Sequence, residues 1–320
     1  MRGLPALGID VGGGSAKIGV VAPDGSVLGR CEVASDPQLA GGALLDTFLA
    51  AAARLQAEAG APDLAGIGIG LPGQIDLQNG STHVGNVPSL NGFAIVEHVR
   101  AQTGLHARLE NDATLAALAE HRFGSGRGAT RFMTVTLGTG IGVGFIVNGA
   151  AVRTSNGTLG DIGHIIVDPL GARRCRQGCH GCLESVASSL ALAERYAELG
   201  QSAPGDAPSG LVLLFEAARA GDQECLRIID EAARFLAAGI VSWTHIFAPD
   251  RIAFAGGMSK SGPILLDRII AAVRALAIPN YLANLSFVLA ELGADAGLVG
   301  AAALAFETEI GQGTRELAAL

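Results

Sequence analysis

Two α/β halves, each opened by a glycine-tipped hairpin, are what this sequence predicts, and three observations carry the expectation. The composition is 49% hydrophobic and 16% charged with 46 glycines, the profile of a compact, glycine-punctuated chain and not of a disordered one. The length of 320 residues exceeds one ordinary core and suggests two, at about one domain per 150 residues. Two passages also share one design: LGIDVGGGSAKIGVVAPDG (residues 7–25) and VTLGTGIGVGFIVNGA (residues 135–150) each run strand, glycine-rich turn, strand, then an Asp-Gly or Asn-Gly turn.

Neither glycine cluster leads into an amphipathic helix. GGGSAK lacks Walker spacing, and β-branched runs follow the glycines, which excludes the usual P-loop and dinucleotide readings. A hairpin tip without side chains lets main-chain N–H groups approach phosphate oxygens closely; either copy alone also fits an ordinary tight turn. Further along, AGIGIG (residues 65–70) reads as a buried strand ending at the turn LPGQID, and ARLEND (residues 107–112) as a strand giving way to a helix. That helix covers residues 111–123, with Leu115, Leu118 and Ala119 on one face. GSGRGAT (residues 124–130) is the candidate linker before the second hairpin. Later helical patterns are interrupted by SAPGDAPSG (residues 202–210), expected as a loop. Residues 222–247 carry Leu226, Ile229, Phe235, Leu236 and Ile240 near helical spacing behind Asp222 as N-cap. RIAFAGGMSKSG (residues 251–262) reads as strand, Gly-Gly turn and helix, and GADAGLVGAAALAF (residues 293–306) as a small-residue helix suited to close packing.

A net charge of -8 without a long basic run argues against non-specific binding to nucleic acid or anionic membranes. MRGLPALGID has no apolar stretch fit for a signal peptide, and runs such as RFLAAGIVSW are too short to span a bilayer, so a soluble cytoplasmic protein is expected. Three of the five cysteines and two of the seven histidines fall within GDIGHIIVDPLGARRCRQGCHGCLES (residues 160–185). In a reducing compartment such a cluster more often binds metal or does chemistry than forms disulfides, and the odd count points the same way.

Asp10 with GGG, GLPG (residues 70–73), LENDATLAALAE, TLGTGIGVG, GDIGH followed by the cysteines, and AFAGG stand in the order seen in sugar kinases of the ROK family (repressor, open reading frame, kinase). The chain resembles that family over nearly its whole length. The resemblance implies a ribonuclease-H-like, actin-like fold: two α/β domains, residues 1–123 and 124–297, with ATP and sugar in the cleft between them. It also implies a last helix, about residues 298–320, packed back on the first domain, and a homodimer. The implied activity is ATP-dependent phosphorylation of a hexose, glucose or a related sugar.

Phosphorylating a sugar hydroxyl requires a carboxylate to accept its proton, Mg²⁺ to neutralise phosphate charge and main-chain donors around the phosphates. Asp112 resembles the general base; it stands where a strand gives way to a helix, whose N-terminus favours the ionised form. The bland alternative is a helix cap, for Asp112 and for Asn111, which resembles a residue bonding sugar hydroxyls. Asp10 resembles the carboxylate that positions Mg²⁺ and phosphate; buried, it would be costly without a cation or donor. Gly12, Gly13 and Gly14 follow, Gly14 standing where the family usually has Thr, with Ser15 as a stand-in hydroxyl. Lys17 would contact phosphate or face solvent. Gly138, Thr139 and Gly140 resemble the second phosphate hairpin, and Gly256 and Gly257 the turn packed on the nucleotide.

For the sugar the resemblance points to Gly73, Asn91, Asn111, Asp112, Asp161, His164 and Glu184, polar groups suited to a polyhydroxyl ligand. Asp161 replaces the usual Glu and loses a methylene of reach. Asn91 lies in NVPSLNGF, which lacks the tryptophan common at this point. The family pattern G-H-x(9–11)-C-x-C-G-x-x-G-C-x-E holds a structural Zn²⁺, and Gly163, His164, Cys175, Gly178, Gly181, Cys182 and Glu184 fall on it. Gln177 stands at the middle cysteine, and an amide is a poor zinc ligand. The expectation is a re-threaded loop in which Cys179 joins His164, Cys175 and Cys182, with His180 as an intruding ligand or a metal-free set of thiols as alternatives. Other acceptors known in the family are mannose, fructose and N-acetylated or amino hexoses; polyphosphate is an alternative donor. A DNA-binding repressor finds no basic recognition helix here, and a sugar-responsive regulator without turnover is the reading from a different class.

Overall fold

The computed structural model describes residues 3–83, 86–154, 157–200 and 207–307. The chain forms two compact units. The first takes in residues up to Arg127, Gly149–Gly160 and those from Ala294 onward; the second holds Gly128–Asn148 and Asp161–Gly293.

The first unit opens with three antiparallel strands, β1 (Ala6–Val11), β2 (Ser15–Val21) and β3 (Val27–Ala34). The Asp-Gly turn after β2 closes because Gly25 adopts φ +87° and donates to the Ala22 carbonyl, a conformation that favours glycine. β1 is buried nearly throughout, whereas β3 alternates half-buried and exposed residues as an outer strand should. Helix α1 (Gly41–Glu58) buries Leu44, Leu45, Phe48 and Leu55. Next come β4 (Ile67–Leu71), the small pair β5 (Gln74–Asp76) and β6 (Ser81–His83), α2 (Ile95–Thr103), β7 (Ala107–Asn111) and α3 (Asp112–Phe123). Sheet order is β3-β2-β1-β4-β7, with β4 parallel to β1 and β7 parallel to β4.

The second unit begins with β8 (Arg131–Leu137) and β9 (Ile141–Val147), paired antiparallel. At the following Asn-Gly turn Asn148 and Gly149 have φ +52° and +82°, the left-handed pair that such sequences supply. Three short strands then belong to the first unit, β10 (Ala150–Ala151), β11 (Arg153–Thr154) and β12 (Gly157–Thr158), before the chain returns through a 3-10 turn at Gly160–His164. Helices α4 (Leu183–Ala187), α5 (Ser189–Glu198), α6 (Ala207–Arg219) and α7 (Gln223–Phe247) follow. The expected loop at residues 202–210 lies outside the described residues up to 206, but from Ala207 the chain is helical; Pro208 falls in the first turn, where its missing N–H costs no intrahelical bond. Asp222 caps α7, its carboxylate accepting from the Cys225 N–H at 2.9 Å. Strand β13 (Arg251–Ala255), α8 (Pro263–Leu276), the short α9 (Pro279–Leu282) and β14 (Ser286–Leu289) complete the unit. β13 lies parallel to β8 and β14 parallel to β13, so each sheet is an antiparallel hairpin extended by parallel strands.

The last described helix, α10 (Ala296–Ala305), lies on β1 and β4 and against α3. Its backbone comes so close that a Cβ on Gly68 would sit 1.7 Å from the Ala301 carbonyl oxygen, and one on Gly8 2.0 Å from that of Leu298. Over-packing of this kind costs about 1–3 kcal/mol, and here only backbone could yield. Gly68→Val therefore lowers the melting temperature by several degrees, whereas Gly14→Ala, which meets nothing within 4 Å, leaves it unchanged. Thermal unfolding followed by circular dichroism checks both. All five cysteines are free thiols, and no helix among the described residues is long and apolar enough to cross a membrane.

Candidate active site and metal centre

In the first unit the candidate groups gather at the C-terminal ends of the parallel strands. Asn111 ends β7 and caps α3: its Oδ1 accepts from the N–H groups of Ala113 and Thr114 at 3.0 and 3.2 Å. Its Nδ2 donates to the Gly73 carbonyl at 3.0 Å, which ties the β4 turn, where Gly73 has φ +89°, to the end of β7. Asn111 thus caps α3, sharing the Ala113 N–H with Asp112, and one amide hydrogen remains for a ligand. Asp112, the first residue of α3, is exposed, with Oδ1 also accepting from the Ala113 N–H at 2.8 Å. Asn91 is exposed at the end of a 3-10 turn, paired with Thr82 in an isolated bridge.

Asp10 sits on β1 opposite Lys17. Burial pushes its carboxyl above the ordinary range, and the Lys17 charge only partly opposes this. A carboxylate held this way is stabilised by any cation that joins it. It also lies against the first turn of α10, since a Cβ on Gly297 would fall 2.1 Å from Asp10 Oδ2. Lys17 Nζ donates to the Ala294 carbonyl at 3.2 Å, and the Ser15 hydroxyl donates to Glu32; both expected phosphate-side groups therefore have partners within the unit. Gly12, Gly13 and Gly14 form the bare tip. A Cβ on Gly12 would fall 3.1 Å from the Ser15 carbonyl oxygen and one on Gly13 3.5 Å from that of Asn86, while Gly14 faces open space.

In the second unit the hairpin tip Gly138–Thr139–Gly140 has two kinds of glycine. Gly138 faces nearly open space, but a Cβ on Gly140 would meet Glu184 Oε2 at 2.5 Å. The reason is a bond: Glu184, in the first turn of α4, accepts from the Ile141 N–H at 3.1 Å. Thr139, Cys175 and Glu184 share a cavity of about 220 Å³. Gly257 is open, whereas Gly256 has φ +83° and a Cβ on it would fall 2.4 Å from the Leu137 carbonyl oxygen, so local packing already requires a glycine there. Asp161 and His164 lie on the 3-10 turn, which rests on β9 because Gly163 carries no side chain toward the Ile141 carbonyl.

The cysteine stretch closes on itself. Gly178, at φ +89°, turns the chain so that the Cys175 N–H donates to the Cys179 carbonyl. His164 Nδ1 then lies 3.6, 3.4 and 3.7 Å from the Sγ atoms of Cys175, Cys179 and Cys182, and the first two sulfurs are 3.2 Å apart. All four donors fall within 4.8 Å of one another. Zn–S bonds of about 2.3 Å and Zn–N bonds of about 2.0 Å imply tetrahedral edges of roughly 3.5–3.8 Å, so the set fits a small tetrahedral cation. Burial and the neighbouring thiols push Cys179 up to about 12; binding a metal would displace that proton. Gln177 is exposed, and His180 pairs by its backbone with Arg174 outside the cluster. Sequence reasoning missed Glu110: it is fully buried directly before Asn111 and bonded to Arg153 at 2.7 Å. A charged residue at the end of a strand was its only signal.

Two sheets, each led by a hairpin with a glycine-rich tip and continued by parallel strands, define the actin-like, ribonuclease-H-like class. The chain belongs to the ROK family, whose profile matches residues 6–308. It is 36% identical over 308 residues to a glucokinase of Halalkalibacterium halodurans, covering 92% of each chain. Among solved structures it is similar to a ROK hexokinase from Thermus thermophilus, with TM-score 0.82, 32% identity, and coverage of 94% of this chain and 97% of that one. It is also similar to a ROK family glucokinase from Streptomyces griseus in complex with glucose and AMPPNP, with TM-score 0.75, 31% identity, and coverage of 94% and 98%.

Proposed function

We propose that the chain is a sugar kinase that transfers the γ-phosphoryl group of ATP to a hydroxyl of a hexose, with glucose as the preferred acceptor. The observation that carries this is the exposed carboxylate of Asp112 at the N-terminus of α3, at the C-terminal end of the parallel strands. Asn111 Oδ1 accepts from the Ala113 and Thr114 N–H groups and Asp112 Oδ1 shares the first of them, so the helix keeps a cap from Asn111 while the exposed carboxylate of Asp112 is placed to serve the reaction as well. In the reaction Asp112 accepts the proton of the sugar hydroxyl as its oxygen bonds to the γ-phosphorus and ADP departs. Main-chain N–H groups at Gly12–Gly14 and Gly138–Gly140 cradle phosphate oxygens; the open space at Gly14 and Gly138 supports this, because neither glycine is required by internal packing. Gly256 and Gly257 serve the nucleotide.

Asp10 would hold Mg²⁺, which supplies positive charge at the phosphates. Gly73, Asn91, Asn111, Asp161, His164 and Glu184 are the sugar-binding set. His164, Cys175, Cys179 and Cys182 would hold a structural Zn²⁺ that braces the loop; with His164 Nδ1 committed to the cluster, Nε2 remains for the sugar. The relatives named glucokinase support glucose. The test is ADP release over glucose, mannose, fructose and N-acetylated hexoses. Glucose is expected to give the highest kcat/KM, and retained sugar binding without ADP release from any of them would sink the kinase reading.

A further inference from the structure

Glu110 is a buried acid next to the proposed base. Its Oε1 accepts from the Asn111 main-chain N–H at 2.9 Å, and its Oε2 from Arg153 Nε at 2.7 Å. The glutamate side chain is 1% exposed and the arginine 30%. Asn111 passes the constraint on in two directions, to the N–H groups of Ala113 and Thr114 and to the Gly73 carbonyl. Arg153 comes from β11, in the segment Gly149–Gly160 that the chain lends to the first unit just before Asp161. One carboxylate therefore grips the residue before the base and the strand before Asp161.

Stability alone is a poor reason for such a pair, because well-packed apolar residues are commonly as good or better in a buried site. A charge pair with two directional bonds does something apolar packing does not: it fixes the angle and height of a chain segment. Proton transfer needs that, since a misplacement of about 1 Å costs about 100-fold in rate.

We propose that Glu110, clamped by Arg153, is a positioning residue for phosphoryl transfer, fixing the β7–α3 junction so that Asn111 and Asp112 meet the acceptor hydroxyl in register. This rests on the kinase reading above. Burial raises the Glu110 carboxyl, and Arg153 opposes that shift, so losing the arginine would also weaken the charge that makes the grip.

The test is a double-mutant cycle on the full chain with glucose and ATP, reading kcat, both KM values and the melting temperature. Glu110→Gln lowers kcat about 10- to 100-fold with KM values within about threefold, and lowers the melting temperature because Arg153 loses its partner. Glu110→Gln with Arg153→Gln removes both charges and recovers melting temperature, but kcat stays at least about tenfold down. A purely structural role predicts that kcat returns with stability, and a double variant within twofold of parental kcat overturns the proposal. Should Glu110→Gln not fold, Arg153→Lys decides: it keeps the charge on a partly exposed side chain and loses the guanidinium geometry. A kcat loss of about fivefold at unchanged KM supports the proposal, and unchanged kcat overturns it. A parental chain that turns over no hexose overturns the kinase reading and this proposal together; an active parent with indifferent variants overturns the proposal alone.

Discussion

Asp112→Asn lowers kcat for hexose phosphorylation by about 10²–10⁴-fold, the range a positioned proton acceptor contributes, and leaves sugar affinity within a few fold. The substitution keeps size and shape and removes only basicity. It leaves the N-terminus of α3 intact, because the bonds from Ala113 and Thr114 to Asn111 Oδ1 are untouched. The loss of one negative charge beside the helix N-terminus costs roughly 0.3–1 kcal/mol, far below the stability of a domain this size. Activity and stability therefore separate. Coupled-assay kcat, calorimetric sugar affinity and a thermal melt on one preparation check this, and kcat within tenfold of the parent would remove Asp112 from the role.

Asn111→Ala gives the complementary result. It removes the cap, at about 1 kcal/mol, along with the bond to the Gly73 carbonyl, so stability and turnover fall together. The contrast between neighbours follows from one fact that the sequence leaves open. In a run reading Asn-Asp before a helix either residue can cap; here Asn111 Oδ1 takes the Ala113 and Thr114 N–H groups and Asp112 Oδ1 shares the first of them.

What could be read in the residues, and what could not, divides along the same physical line. The two hairpins, the strand into α3 and Asp222 at the head of α7 are local events, set by alternation, turn chemistry and a single cap, and the structure carries them as expected. Glu110 and Arg153 stand 43 positions apart and meet only because the segment after the Asn148–Gly149 turn belongs to the first unit. Nothing in its period marks that excursion, since strands of two residues carry no alternation to read. Gly140 is a similar case. Its bareness suggested phosphate, but the structure adds a second reason, the approach of Glu184 from 43 positions away to the Ile141 N–H. Close approach of the α10 backbone to the sheet was legible as a run of small residues, while the glycines that receive it, Gly8 and Gly68, looked like ordinary strand positions.

Cys179→Ser abolishes stoichiometric metal binding. The purified parent is expected to carry about one equivalent of zinc, the serine variant under half an equivalent, and Gln177→Ala and His180→Ala are expected to retain it. The geometry orders these outcomes: Cys179 Sγ is 3.4 Å from His164 Nδ1 and 3.2 Å from Cys175 Sγ, while Gln177 and His180 stand outside the cluster. A serine hydroxyl ionises far less readily than a thiol and is a hard donor in a soft set, so three donors remain where a structural site needs four. Apparent zinc binding in such sets reaches about 10 kcal/mol or more, and that binding energy is folding energy for the loop. The consequence runs on to the hairpin. Cys182 is the N-cap residue of α4, which carries Glu184 two residues later, and Glu184 holds the Ile141 N–H. Loss of such a metal would therefore loosen His164 and the tip at Gly140 together, and kcat/KM is expected to fall with both sugar and ATP. Full zinc retention in Cys179→Ser, measured by metal analysis on folded protein, would return the fourth ligand to question.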